Sequence, residues 1–229
     1  MSYGASEAPA ARANLAFRAL RFVGRALLGA LFHVEVEGLE RLPPAGGYVL
    51  VCNHLSWSDP LFLMGYLPPE PRIHYLAAAE YTVGGPWPVR KVVAAAGGII
   101  PVDRHSHKGS RTVVVEALKV LRGGGVLGIF PEGRCGFAEG EIQDLKEGAA
   151  SFAVKTGRPI LVTGISGSLE LYFRKRIRVK IGPLLEPAAG ESQDELLERL
   201  HRAMAATVPP LDPRQPRRKW LVWINRMFD

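Results

Sequence analysis

From residue 33 to residue 208, short apolar runs alternate with longer segments whose apolar residues recur at helical spacing. The expected strands are 33–38, 47–53, 73–78, 98–102, 125–130, 160–166 and 176–182. The expected helices are 60–66, 86–95, 108–122, 146–156 and 191–208. This alternation predicts an α/β fold, in which helices flank a mixed, largely parallel sheet.

Length and cysteine content narrow the class of protein. A chain of 229 residues with 47% apolar side chains can bury a complete core. No linker divides the chain, so we expect one central domain over residues 35–208. Two cysteines are too few for a disulfide-stapled secreted scaffold, and no secretory signal is recognised. A reducing, cytoplasmic setting is therefore expected.

The net charge of +7 is concentrated at the two ends of the sequence. Residues 1–34 carry four arginines against one glutamate, and residues 214–229 carry five Lys/Arg against one aspartate. Residues 35–213 therefore sum to zero. A nucleic-acid-binding protein usually spreads basic residues over its folded body, so we expect no nucleic-acid partner.

Both ends are also amphipathic. Arg18, Arg21 and Arg25 recur at helical spacing, opposite an apolar stripe formed by Phe17, Leu20, Leu27, Leu28 and Leu31. The uncharged stretch 26–34 is far shorter than the ~20 residues that cross a bilayer. Residues 1–34 are therefore predicted to form a membrane-interface helix with a basic face and an apolar face.

Residues 209–229 are predicted to form a second membrane-interface segment. There Trp220 and Trp223 lie beside three cations, a mixture typical of lipid interfaces. We expect a peripheral or monotopic protein on the cytoplasmic face of the cell membrane, attracted to anionic lipid. The alternative is that both ends are ordinary amphipathic segments that cap the core.

Three expected strands are followed by charged or titratable side chains, namely His54, Asp59, Asp103, Arg104, Glu132 and Arg134. If these strands are parallel, their loops open at one edge of the sheet. One pocket would then hold an imidazole, carboxylates and two guanidinium groups.

Structural interpretations of these residues also exist. Asp59 before Pro60 has the order of a helix N-cap, and His54 could be a core histidine. Five residues along a helix turn about 500°, which separates two side chains by about 140°. A His54–Asp59 pair therefore requires His54 to lie in the loop before the helix. Single arginines are most often surface ion-pair partners.

Three motifs, "NHLSWSD", "GGIIPVDR" and "FPEGRCG", resemble the first three signature blocks of the glycerolipid acyltransferases. The best-known bacterial members are lysophosphatidic acid acyltransferases, and the likeness covers residues 34–185. It implies transfer of a fatty acyl chain from a thioester donor, acyl carrier protein or coenzyme A, to a lysolipid hydroxyl. The acceptor that it implies most directly is 1-acylglycerol-3-phosphate, and the product is then phosphatidic acid. We expect the reaction to need no cofactor and no metal.

The resemblance also implies roles for individual residues. His54 becomes the general base and Asp59 the group that orients it, while the acceptor site is formed by Arg104, Glu132, Gly133 and Arg134. A neutral imidazole can take a hydroxyl proton near neutral pH. Guanidinium groups bind phosphate through paired hydrogen bonds, and glycine lets the backbone approach the ligand.

Three departures from the family pattern leave the acceptor open. The third block usually has threonine then arginine after the glycine, whereas Arg134 and Cys135 stand there. "YLAAAEY" has alanines where many members place a lysine, and "PILVTG" lacks a second proline. An aminolipid or glycolipid acceptor therefore stays an alternative to the phosphorylated one.

Other classes of protein are disfavoured. A metal enzyme could use His105 and His107, but further ligands at recognisable spacing are missing from the sequence. The segment "GISGS" misses the serine-hydrolase pattern G-x-S-x-G by one place. A non-enzymatic membrane-binding protein would keep the basic ends without needing His54.

Overall fold

The computed structural model describes residues 12–44, 47–82, 87–103, 107–212 and Asn225. Seven strands are found there: β1 (His33–Glu37), β2 (Tyr48–Cys52), β3 (Ile73–Ala78), β4 (Ile99–Val102), β5 (Val126–Ile129), β6 (Ile160–Ser166) and β7 (Arg176–Leu185). The α-helices are α1 (Leu15–Leu31), α2 (Asp59–Tyr66), α3 (Trp87–Ala96), α4 (His107–Arg122), α5 (Gly148–Thr156) and α6 (Gln193–Thr207).

All seven strands belong to one sheet, in the order β1-β7-β6-β2-β5-β3-β4. Strands β2 to β6 are parallel to one another, β7 is antiparallel to β6, and β1 is parallel to β7. The predicted mixed, largely parallel sheet is confirmed. Because β2, β4 and β5 run in one direction, the three loops singled out in the sequence open at the same edge. The loops after β2 and β5 are neighbours there, whereas β4 lies at the end of the sheet.

The central position of β2 in the sheet explains why its sequence is apolar without interruption. Val49 and Val51 belong to the core cluster on one face of the sheet, with residues of α4, α5 and α6. Leu50 and Cys52 belong to the cluster on the other face, with residues of α2 and with Leu28 of α1 packed against it. A parallel strand covered by helices on both faces needs apolar side chains at every position.

The three arginines of the predicted basic face of α1 contact the folded body. Arg21 donates hydrogen bonds to the main-chain oxygens of Met64 (3.0 Å) and Leu67 (2.7 Å), so it faces α2. Arg18 pairs with Glu70, and the Arg25 guanidinium lies 4.8 Å from the ring centroid of Tyr66. The three cations thus make contacts within the protein, and they do not form a free basic face.

The outward side of α1 is instead apolar. We define the outer face of α1 as its exposed large apolar side chains: Leu15, Leu20, Phe22, Val23 and Leu27. Leu15 is 85% exposed and Phe22 is 76% exposed. Part of the predicted apolar stripe faces inward, since Phe17 is buried and Leu31 packs against the core. Helix α1 is therefore amphipathic, with arginines that contact the folded body and an exposed apolar face.

Among the described residues, no helix is both long enough and apolar enough to cross a bilayer. Of the predicted C-terminal interface segment, Trp220 and Trp223 lie outside the described residues. Asn225 is described, and its side chain bonds to both main-chain groups of Leu171, at 2.7 and 3.1 Å. At that residue the segment contacts the folded body.

Candidate active site

The loop after β2 is anchored to the neighbouring strand β6 before it reaches the site. Asn53 is fully buried, and its side-chain amide exchanges two hydrogen bonds with the main chain of Ile165, at 2.8 and 3.0 Å. A side chain that satisfies both main-chain groups of its partner leaves the loop little freedom. The next residue, His54, therefore leaves the sheet edge in a defined position.

His54 and Asp59 are in direct contact. His54 Nδ1 lies 2.9 Å from Asp59 Oδ2, and the same oxygen accepts the amides of Leu55 (2.7 Å) and Ser56 (2.8 Å). Asp59 is the first residue of α2, and His54 lies in the loop before it, as a pair requires. The N-cap interpretation of Asp59 is wrong, because its carboxylate binds residues that precede it.

The other oxygen of Asp59 has a partner that the sequence did not suggest. Ser168 Oγ donates to Asp59 Oδ1 at 2.5 Å, and both side chains have no exposed surface. The two residues are 109 positions apart. In the sequence, "GISGS" resembles an incomplete serine-hydrolase motif, and no local pattern indicates that Ser168 contacts Asp59.

The turn after β5 encloses His54. The imidazole stacks on Phe130, with ring centroids 4.2 Å apart and planes inclined by 22°. The main-chain amide of His54 donates to Glu132 Oε1 at 3.2 Å, and its carbonyl oxygen accepts the Gly136 amide at 2.6 Å. Main chain and ring are thereby held from two sides, which limits the imidazole to one orientation.

Cys135 contacts the nitrogen of His54 that faces away from Asp59. Its Sγ lies 3.4 Å from His54 Nε2, and the cysteine is exposed. A nucleophilic hydroxyl must come within hydrogen-bond distance of this same nitrogen if His54 is to take its proton. The thiol therefore marks the place that an acceptor hydroxyl would occupy.

Burial by itself lowers the pKa of His54, because a charged imidazolium is poorly solvated there. Hydrogen bonds and charges from Asp59 and Cys135 outweigh this effect and raise the pKa to about 9. Near pH 7 the ring is therefore largely protonated, and it must lose its Nε2 proton before it can act as a base. The ion pair with Asp59 stabilises the fold fully below pH 6.5, and this contribution is lost as the pH rises through about 9.

The resemblance implies that His54 is the general base, and only its neutral form could take a proton, so we expect kcat/KM to rise with pH up to about 9. In Cys135→Ala the midpoint of this rise should move to lower pH, because one of the two groups that raise the pKa is removed. Initial rates of the wild type and the variant across this pH range test the shift. An unchanged midpoint in the variant would show that the thiol does not influence His54.

Glu132 and Gly133 form the turn beside His54. Glu132 is 3% exposed, and its Oε2 has no hydrogen-bond partner among the described residues. Burial raises the pKa of Glu132, while hydrogen bonds from the amides of His54 and Gln143 lower it. Gly133 has φ +70°, and a Cβ there would lie 2.5 Å from Lys146 Nζ. The positive φ at Gly133 favours glycine at this place in the turn. The Lys146 ammonium lies beside the predicted acceptor residues.

Of the two arginines predicted for the acceptor site, the structure describes Arg134 but not Arg104. Arg134 is exposed and donates from Nε to Gln143 Oε1 at 2.6 Å, with its guanidinium 5.7 Å from the Phe137 ring centroid. It is thus directed along its own loop. Arg104 lies outside the described residues. Lys146, a cation that the sequence interpretation did not single out, is exposed beside Gly133.

Comparisons with known proteins identify the family of this chain. The family model described as Acyltransferase matches residues 33–166. The 1-acyl-sn-glycerol-3-phosphate acyltransferase of Borreliella burgdorferi is 32% identical over 145 residues, which cover 63% of this chain and 55% of that protein. The enzyme of that name from Bacillus subtilis is 32% identical over 162 residues, covering 68% and 75% of the two chains.

A solved structure shares the fold. The crystal structure of 1-acyl-sn-glycerophosphate (LPA) acyltransferase from Thermotoga maritima matches with a TM-score of 0.66 and 22% identity, covering 83% of this chain and 77% of that one. The family match contains His54, Asp59 and the whole turn from Glu132 to Cys135, whereas Ser168 lies just beyond it. The family model matches more than half of the chain, and the chain therefore belongs to the Acyltransferase family.

Proposed function

We propose that this protein transfers a fatty acyl chain from a thioester donor to the free hydroxyl of 1-acylglycerol-3-phosphate, giving phosphatidic acid. The observation that carries the proposal is the His54–Asp59 pair, with Nδ1 bound to the carboxylate and Nε2 directed at an exposed position. The names of the relatives from Borreliella burgdorferi and Bacillus subtilis supply the substrate. The donor is acyl carrier protein or coenzyme A.

In the proposed mechanism the acceptor hydroxyl displaces the Cys135 thiol from His54 Nε2. Neutral His54 takes the hydroxyl proton while the oxygen attacks the thioester carbonyl, and a tetrahedral oxyanion forms. The oxyanion collapses by breaking the carbon–sulfur bond, and the leaving thiolate receives the proton from Nε2. Asp59 holds the proton on Nδ1 and stabilises the transient imidazolium, so the substrate hydroxyl is the nucleophile.

Three amides near the start of α2 are already engaged and are not available as oxyanion donors. The amides of Leu55 and Ser56 both point at Asp59 Oδ2, and the Asp59 amide donates to the Ser56 carbonyl oxygen. An amide already engaged by a carboxylate cannot also stabilise a developing alkoxide. The amides of Leu55 and Ser56 therefore support the carboxylate of the pair rather than the reacting carbonyl.

Identification of the product tests the function. The purified protein is offered 1-acylglycerol-3-phosphate, an amino-headgroup lysolipid and a lysoglycolipid, each with acyl carrier protein and coenzyme A donors. Mass spectrometry should show phosphatidic acid as the dominant product. An acylated aminolipid or glycolipid would move the assignment to another acceptor, and vesicle binding without any product would favour a non-enzymatic protein.

Arg104 and Arg134 are proposed to bind the acceptor phosphate. Arg104→Ala and Arg134→Ala should each raise the acceptor KM about tenfold, the effect of losing a charged hydrogen bond, with little change in the donor KM. Arg122, an exposed arginine at the end of α4 and at the opposite edge of the sheet, provides the control Arg122→Ala. Equal effects on both substrates would indicate a structural role.

We propose that the outer face of α1 binds the membrane. Monomeric soluble proteins rarely expose contiguous apolar surface of this kind, and an amphipathic helix that lies in a lipid interface requires it. Helix α3 is joined to the start of α1, where Asn14 donates to the Ala95 carbonyl oxygen at 3.2 Å. It adds an exposed Trp87 with Lys91 4.3 Å above the ring, a pair suited to an anionic lipid interface.

The double variant Phe22→Ser/Leu27→Ser should weaken binding to anionic vesicles at least about tenfold, because each buried side chain contributes roughly 1.5–3 kcal/mol. The loss should persist at high salt, since apolar burial is not screened. Val115 on α4, exposed on the other side of the sheet, provides the control Val115→Ser. Co-sedimentation across a salt series measures the effect, and unchanged binding would leave α1 as a packing helix.

A further inference from the structure

Asp59 is supported from the side opposite to His54. Its Oδ2 binds His54, Leu55 and Ser56, and the partner described for Oδ1 is Ser168 Oγ at 2.5 Å. An ionised carboxylate offers about four acceptor positions, and a fully buried one needs them filled by the protein. The arrangement around Asp59 meets that need, and Ser168 provides the contact to the second oxygen.

Ser168 is itself held in place from both sides. The Glu139 carboxylate accepts the Gly167 amide at 2.9 and 3.1 Å and the Leu169 amide at 3.1 Å. Gly167 has φ +88°, and a Cβ there would collide with the main-chain oxygen of Arg176. The turn after β6 therefore needs glycine at 167 and an acceptor for its two amides, and Glu139 is that acceptor.

The geometry determines what Ser168 can do. A hydrogen bond to Oδ1 restrains rotation of the carboxylate about its terminal torsion, and that rotation decides where Oδ2 lies relative to His54 Nδ1. The ring orientation in turn sets the direction of Nε2, where the acceptor hydroxyl arrives. Ser168 has no route to the substrate except through Asp59, because its hydroxyl is fully buried.

We propose that Ser168, held by Glu139, is a positioning residue that acts through Asp59 to orient His54. The inference rests on the proposed function, since it assumes that the His54–Asp59 pair performs the acyl transfer. It connects the turn after β6 and the long loop between β5 and α5 to the catalytic pair. The turn after β6 contributes the buried Ser168 hydroxyl, and the long loop contributes the half-buried Glu139 carboxylate that holds this turn.

A double-mutant cycle tests the proposal. Ser168→Ala should lower kcat about tenfold, as expected for the loss of a hydrogen bond to a charged group, while both KM values change less than about twofold. In the Asp59→Asn background the same change should have little further effect, because residues that act as a unit are not additive. Ser166, equally buried at the end of β6, provides the control Ser166→Ala.

Further variants separate positioning from folding. Glu139→Gln should lower kcat by a smaller factor than Ser168→Ala, and this loss should also disappear in the Asp59→Asn background. Ser168→Thr keeps the hydroxyl and should therefore retain more of the rate than Ser168→Ala. Melting temperatures are measured for every variant, and if Ser168→Ala does not fold, the Glu139→Gln cycle decides.

Full activity in Ser168→Ala, or the same factor lost in both backgrounds, would overturn the proposal. The panel also includes His54→Ala, so that the two proposals can fail separately. Activity in His54→Ala would overturn the proposed mechanism and this inference with it. An inactive His54→Ala beside a fully active Ser168→Ala would overturn the inference alone.

Discussion

His54→Ala is expected to reduce turnover by about 10²–10⁴-fold, the range that general-base catalysis supplies. The variant has no group at the position of Nε2, so the acceptor hydroxyl keeps its proton as it approaches the thioester. Asp59→Asn should lose most of the activity as well, because its carbonyl oxygen can still accept the amides of Leu55 and Ser56 but the neutral side chain cannot stabilise the transient imidazolium. Initial rates with the acceptor identified by product analysis measure both effects.

The fold should remain intact in His54→Ala, since the imidazole is partly exposed and Asp59 keeps its hydrogen bonds from Leu55, Ser56 and Ser168. Circular dichroism and vesicle binding provide this control, and they should match the wild type. Full turnover in the alanine variant would show that the proton is removed by another group, and the proposed mechanism would then be wrong.

Alkylation of Cys135 should abolish turnover, with an expected loss of at least about 100-fold, comparable to loss of the general base. Cys135 is exposed and its sulfur lies 3.4 Å from His54 Nε2, so a carboxamidomethyl group on the sulfur would cover the nitrogen that meets the acceptor in the proposed mechanism. The reagent is iodoacetamide, and acyl transfer is followed against the fraction of modified protein.

The chain provides its own controls for this experiment. Cys52 is buried in the second strand and should stay unmodified, which peptide mapping verifies. Cys135→Ala should remain active and become insensitive to the reagent, because it removes the sulfur without covering Nε2. Inhibition of Cys135→Ala to the same extent would place the sensitive group elsewhere, and full activity of the alkylated wild type would show that the acceptor approaches by another route.

Cys135 also bears on acceptor recognition. It stands where the resemblance leads one to expect an arginine, and in the fold this position touches the imidazole. Arg134, one place earlier, is directed at Gln143 and Phe137. Two described cations, Arg134 and Lys146, therefore lie where the proposed acceptor phosphate could approach this turn. The KM measurements on Arg134→Ala test whether Arg134 binds that phosphate.

Much of the fold could be predicted from local patterns. Continuous apolar runs such as Tyr48–Cys52 identified buried strands, because a strand covered on both faces carries no polar alternation. The largest error at a strand end is at β7, which extends to Leu185 rather than ending at 182. The pairing of His54 with Asp59 could also be predicted, since the residues are five positions apart, in a loop and at the start of the helix that follows it, and their contact depends on local geometry.

Other features depend on contacts between distant parts of the chain, and periodicity carries no information about them. The amphipathic pattern of α1 shows that the helix has two unlike faces, but only packing against α2 decides that Arg21 turns inward and Phe22 outward. The contact of Ser168 with Asp59 joins residues that are brought together by the adjacency of β6 and β2 in the sheet. The position of Cys135 over His54 arises likewise because β5 lies beside β2, so that their two loops fold onto one another at the same edge.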